Sequence, residues 1–160
     1  MRTAVLLLAV LTLGLMAGLF YAYAGSVMPG LRRAADRSAV DAMQHINVAI
    51  QNPLFGLIFV GALVCTAIAV FQNRDRTDVA GPLLIALVLY AATLAVTFAA
   101  NIPLNNRLDR LGAAARTDPE RQRAEFFTPW VRWNLVRTVT STGAFGAAAW
   151  ALVEHGAHIG

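Results

Sequence analysis

At 160 residues, with 58% hydrophobic and only 14% charged side chains, the chain is too apolar for an ordinary soluble domain, where about 25% of residues are charged; its mean hydropathy is +0.57. All 13 basic residues are arginine, and the net charge is +4, yet the arginines flank apolar runs with no nucleic-acid motif beside them, so a nucleic-acid partner is excluded and a lipid bilayer is expected. The single cysteine, Cys65, rules out an intrachain disulfide and a cysteine-based zinc site.

Four apolar runs are each long enough to cross a hydrocarbon layer: residues 4–24, 54–71, 82–100 and 135–153, the last within a span at about 132–153. About 20 helical residues cover a bilayer core of about 30 Å. Lipid obliges the backbone to satisfy its own hydrogen bonds, so the runs are read as helices. The expected fold is all-α: a single membrane domain over 1–160, a four-helix transmembrane bundle with an amphipathic helix in its first long connection.

The first span carries Gly14 and Gly18, a small-residue face suited to close helix packing and to self-association as a homo-oligomer. Ala22-Tyr23-Ala24 resembles a signal-peptide cleavage site, but the apolar stretch exceeds the usual 7–15-residue core, so the segment is expected to be retained. Phe20, Tyr21 and Tyr23 read as boundary aromatics, or as an inward-facing phenol-binding edge.

The first long connection, 25–53, holds an amphipathic helix over Ser38–Asn52, with Ser38-Ala39-Val40-Asp41 resembling a capping box. At about 100° per residue, Asp41, Gln44, His45, Asn47, Gln51 and Asn52 fall on one side, and Ala42, Met43, Ile46, Ala49 and Ile50 on the other. That polar side is mostly amides and one imidazole. It is an interfacial helix bathed in water, a surface that recognises a polar ligand, or a set of groups that fasten a re-entrant loop into the bundle. His45 is the only histidine suited to act as a general base or an axial haem ligand; His155 and His158 fall in a terminal tail expected to be inert.

Asn52-Pro53 marks the start of the second span, Gly81-Pro82 the third and Thr128-Pro129 the fourth. Thr117-Asp118-Pro119-Glu120 is expected to open a short helix toward Phe127. The third span ends with Thr93, Thr97, Asn101 and Asn105 at intervals of four. The threonines can bond back to their own helix, whereas asparagine in lipid must find partners, as glue between helices or as a ligand site. The fourth span opens with Trp130, Trp133, Asn134, Arg137 and Ser141 along one stripe. The tryptophans fit an aromatic belt; Arg137, about two turns in, must snorkel, pair or line a polar cavity.

The two long connections lie on one side and hold three and seven arginines, against Arg2, Arg74 and Arg76 on the other. The positive-inside bias puts both termini outside. A lysine-free, alanine-rich chain fits a GC-rich bacterial genome, hence a bacterial cytoplasmic membrane. No metal-ligand set, nucleotide fingerprint or nucleophile elbow occurs, so no cofactor is expected.

The polar elements fall in a recognisable order: Phe20-Tyr21 with Ser26 to Leu31, Ala42-Met43-Gln44-His45-Ile46-Asn47, Asn101-Ile102-Pro103-Leu104-Asn105-Asn106-Arg107-Leu108 and Trp130 to Arg137. Together they resemble the anthrone oxygenase-like membrane family over nearly the whole chain. The resemblance implies a four-helix membrane protein. For the fungal polyketide-pathway members it implies oxidation of an anthrone to an anthraquinone by dioxygen without metal or flavin. On that reading His45 is the base and Arg137 with Asn134 steadies the anion. Gln44, Asn47, Asn101 and Asn105 contact the substrate, and Trp133 with Tyr21 stacks on a hydrophobic polycycle. A non-enzymatic protein binding a lipid, quinone or partner subunit in the same pocket is the rival reading, and a haem protein using His45 the third.

Overall fold

The computed structural model describes residues 1–111 and 117–157, and every element among them is helical. There are five helices: α1 (Arg2–Arg33), α2 (Asp36–Ala49), α3 (Pro53–Gln72), α4 (Thr77–Arg110) and α5 (Pro119–Ala157). Arg116 and His158 lie outside the described residues.

Three of these helices, α1, α3 and α4, are long and apolar enough to cross a membrane, and the chain is an integral membrane protein. Their outward residues are the evidence beyond length. Leu7, Leu11 and Leu15 on α1, Leu57, Val60 and Val64 on α3, and Leu84, Ile85 and Val88 on α4 are all exposed. Water would not tolerate so large a contiguous apolar belt. α1 packs against α3 and α5, and α4 packs against the same two helices. Inside, Leu6, Leu13, Phe20, Phe59, Leu83, Tyr90 and three alanines of α5 form the main core. Close approach of α1 and α5 depends on Gly14, where an added Cβ would lie 3.1 Å from the Phe145 ring. Gly18 faces open space, so the small-residue pair does not act as one face here.

Helix boundaries depart from the sequence reading at several points. α1 does not stop at residue 24; it runs on to Arg33 through a π-helical turn at Tyr23–Val27. α4 begins at Thr77 instead of Pro82, with Asp78 favourably placed in the first turn, and passes Asn101 through a second π turn, Thr97–Asn101. The short helix and the fourth span are one 39-residue helix with Pro129 inside it. A proline removes one backbone hydrogen bond but need not end a helix whose flanks are packed. Here Phe126, Phe127 and Trp130 around it are buried together with Met28, Val40, Met43 and Leu108, a second apolar cluster at one end of the molecule. Asn52 caps α3 as expected, its side chain accepting from the Phe55 N–H at 2.9 Å.

α2 starts at Asp36, so the expected capping box does not form; its N-cap is Ala35, with no side-chain cap. Its faces are also redistributed. The buried stripe is Val40, Met43, Gln44 and Asn47, while Val48 and Ala49 are exposed. Two amides therefore lie on the buried side beside methionine. Arg123 of α5 holds the start of α2, bonding Asp36 and the carbonyls of Ala34 and Arg32.

At the opposite end, Thr3 Oγ1 lies 3.0 Å from His155 Nε2, and Arg2 bonds Asp75 at 3.1 Å. The two ends of the chain meet there, beside the α3–α4 turn. His155 is not in a loose tail: it is buried within α5.

Candidate functional site

A cavity of about 300 Å³ lies where the two apolar clusters meet, at the lower end of the size range of small-molecule sites. Phe20 and Phe59 from the main core and Met43 and Trp130 from the end cluster line it. Its rim carries the exposed amides Gln51, Asn52 and Asn106; its depth carries Thr97, Asn101 and Arg137, all buried. Most of the wall is aliphatic or aromatic.

Both π turns contribute to it, through Tyr23 on one side and Thr97 and Asn101 on the other. Such turns widen the helix and re-aim side chains, and they are frequent at functional sites. The carbonyl of Phe20, just ahead of the first π turn, accepts from Asn134 Nδ2 and Thr138 Oγ1, each at 3.1 Å. These two bonds fasten α5 to α1 directly behind the cavity.

Arg137 is the feature that sets the chemistry. It is 6% exposed and lines the cavity. Its hydrogen-bond partner is Asn134 Oδ1 at 2.9 Å, and its guanidinium stands over the rings of Phe20 at 4.5 Å and Trp130 at 5.3 Å. No carboxylate pairs with it, and its Nε has no partner among the described residues. A cation is thus held out of water by two aromatic faces and one amide, with donor capacity left over.

Trp130 is clamped by α4. Its indole N–H donates to Asn105 Oδ1 at 2.8 Å, and its carbonyl accepts from Asn101 Nδ2 at 3.3 Å. Tyr23 lies against it with ring centroids 5.5 Å apart. The four-residue interval between Asn101 and Asn105 places both amides on the tryptophan. Thr93 and Thr97 bond back to their own helix, and Thr93 also meets Thr140 of α5 at 2.7 Å.

Of the residues singled out in the sequence, Asn47, Asn101, Asn105 and Arg137 line the cavity, with Asn134 directly behind Arg137. Gln44 is buried but turns to the carbonyl of Leu108, tying α2 to α4. Asn47 donates to Asp109 at 3.2 Å.

The structure does not bring His45, Tyr21 or Trp133 to the cavity. The His45 side chain is 72% exposed, with Nδ1 2.8 Å from the Asp41 carbonyl on its own helix. It sits one residue past Gln44 and so faces away from the buried stripe. An axial ligand at His45 would therefore sit on the exposed side of α2, outside the cavity. Tyr21 is 66% exposed and Trp133 44%. Trp133 lies about 60° off the Trp130, Asn134, Arg137 and Ser141 stripe at about 100° per residue, far enough to face outward.

Trp130, Tyr23 and Phe20 are lining aromatics that sequence reasoning left as boundary residues. The available signal for Trp130 was its position four and seven residues ahead of Asn134 and Arg137. Among the described residues no three His, Cys, Asp or Glu side chains gather to hold a metal.

The fold and site define a helical integral membrane protein with a largely apolar chamber, rimmed by amides and holding a buried guanidinium that has no carboxylate partner among the described residues. The chain belongs to the anthrone oxygenase family, whose model matches residues 43–147. The match runs from Met43 in α2, at the cavity wall, through both clamping asparagines and Arg137. Neither a curated protein nor a solved structure matches the chain.

Proposed function

We propose that this protein is a membrane oxidoreductase that oxidises a lipophilic, flat phenolic or polycyclic ketone of the anthrone type with dioxygen. In this reading α5 is the fourth span and closes a four-helix bundle, since its outward residues Leu135, Val136, Val139, Trp150 and Val153 are as apolar and exposed as those of the other three. The arginine-rich end, with the cavity mouth, faces the cytoplasm, and both termini lie outside.

The observation that carries the proposal is Arg137, a buried cation with no carboxylate partner among the described residues, at the end of an apolar cavity. An anthrone's C–H becomes acidic because its electron pair is delocalised onto the carbonyl oxygen as an enolate. The guanidinium stabilises that oxyanion, and Asn134 holds the guanidinium in place. The wall residues Trp130 and Tyr23 offer ring faces to a flat polycycle. Of the lining residues, only Arg137 and Tyr23 are titratable. The site is therefore read as promoting ionisation by stabilising the anion, with the proton passing to water at the amide rim.

The carbanion carbon then gives its electrons to dioxygen. A C–O bond forms, and proton uptake yields a hydroperoxide. Loss of the remaining proton on that carbon, with cleavage of the O–O bond, leaves a carbonyl and releases water. One methylene and one dioxygen become one ketone and one water.

The test is oxygen uptake by the purified protein in lipid nanodiscs with an anthrone. One dioxygen consumed per anthrone, with the anthraquinone formed, is the expected result. Binding of the polycycle with no uptake above the uncatalysed rate would overturn the oxidase reading in favour of a carrier of lipophilic anions.

A further inference from the structure

Asn101 holds the second unpaired polar atom in the cavity. The residue is 1% exposed. Its Nδ2 donates to the Trp130 carbonyl at 3.3 Å, which determines which end of the amide is the oxygen, because the flipped amide would set oxygen against oxygen. Oδ1 then has no donor among the described residues. Three neighbouring amide oxygens are occupied: Asn105 by the Trp130 indole, Asn134 by Arg137 and Asn52 by its cap bond. Native proteins rarely leave a buried acceptor idle unless a ligand or water completes it.

Beside the cavity a fully buried donor, Arg137 Nε, and a fully buried acceptor, Asn101 Oδ1, from two different helices, have no partner among the described residues. Their complement is a molecule with an anionic oxygen and a separate hydroxyl on a rigid frame.

From this we infer that Asn101 is a specificity-determining residue: its Oδ1 accepts a hydrogen bond from a ring hydroxyl of the substrate, while Arg137 takes the oxyanion. The preferred substrates are then hydroxylated polycycles, and molecules of the same shape without the hydroxyl are discriminated against. Such a site rejects the analogue lacking the hydroxyl because its own acceptor stays buried and unpaired. The inference rests on the anion role given to Arg137 above, and its test separates the two.

Wild type and Asn101→Leu are compared on three anthrones that differ only at one ring position, carrying a hydroxyl, a methoxy group or hydrogen. The wild type is expected to favour the hydroxyl compound over both others by at least about tenfold in kcat/KM, the scale of one buried hydrogen bond. In Asn101→Leu the preference should shrink to within about twofold. A general loss of activity from disturbing Trp130 would lower all three compounds together and leave their ratio unchanged.

The wild-type ratio alone decides the matter if the variant does not fold, since equal rates for hydroxyl and methoxy compounds overturn the inference. Retention of the preference in Asn101→Leu also overturns it and assigns Oδ1 to a bound water only. If no anthrone is oxidised, the oxidase reading fails, and the same ratio is read as Kd for the three corresponding anthraquinones.

Discussion

Replacing Arg137 with methionine removes one charge while keeping an unbranched side chain in the same space. Two unit charges about 4 Å apart interact by about 4 kcal/mol at an effective dielectric of about 20. That is an upper figure for what the guanidinium gives an enolate in this cavity. It corresponds to a loss of roughly 10²–10³-fold in kcat/KM once partial screening by the amide rim is allowed for. The same interaction lowers the ionisation pKa of the bound substrate, so activity that depends on the anion is present at lower pH in the wild type. In Arg137→Met the rising limb of the pH profile should move upward by roughly 2–3 units, since one unit is about 1.36 kcal/mol. Stability should respond differently. The variant gives up two ring contacts worth about 0.5–2 kcal/mol each and leaves Asn134 Oδ1 without its donor. It also removes a buried charge with no counter-ion, which relieves a desolvation penalty of several kcal/mol. The net change should be near zero. The assay is oxygen uptake against pH beside a thermal unfolding curve in detergent. Unchanged activity and an unchanged pH limb in a folded Arg137→Met protein would refute the reasoning.

His45→Ala should leave kcat/KM within about twofold of wild type, because the ring lies outside the cavity on the exposed side of α2; a loss of a hundredfold in the uptake assay would restore it as a participant. Gly14→Val should destabilise the packing of α1 on α5 by about 1–3 kcal/mol, as overpacking does, since even a Cβ there meets Phe145 at 3.1 Å; a thermal melt reads this directly. Glu125 joins Arg107 of α4 at 2.6 Å to Arg121 of α5 at 2.8 Å. Its carboxyl is held below the ordinary value of 4.5, first by the hydrogen bond from Arg121, which outweighs the opposing desolvation, and then by the charges of Arg121 and Arg107. The stabilisation from this link is fully present above the ordinary glutamate pKa and is lost as pH falls through the lowered native value. Hydrogen-exchange protection at the end of α4, taken relative to the intrinsic exchange rate at each pH, should therefore fall in wild type over that acid window, and show no such step in Glu125→Gln.

Much of this protein was legible in its residues. Uncharged runs of 18 or more residues can only be helices in lipid, so the helical class and the membrane followed from composition and length. Asn52 before Pro53 marked a real cap, because capping depends on the side chain and three backbone groups next to it. Of the stripe read as Trp130, Trp133, Asn134, Arg137 and Ser141, all but the exposed Trp133 are buried, since a helix repeats at fixed angles. Where each helix began was less visible. Pro82 and Pro129 read as helix starts, but packing around Leu83 and around Phe127 and Trp130 lets both helices begin well before them.

Which polar side chains share the chamber was a matter of tertiary structure alone. His45 and Gln44 are neighbours in sequence and both suit a ligand site, yet a 100° turn separates a solvent-facing ring from a buried amide. The faces of α2 are set by what α1, α4 and α5 leave for it to cover, not by its own division of polar and apolar residues. The two π turns shift Tyr23 and Asn101 into the cavity wall, and no residue type announces such a turn. Arg137 was recognisable as a charge that must find company; that its company is two aromatic rings and an amide, with no carboxylate among the described residues, emerged only when Phe20 of α1 met the helix that carries Trp130, Asn134 and Arg137.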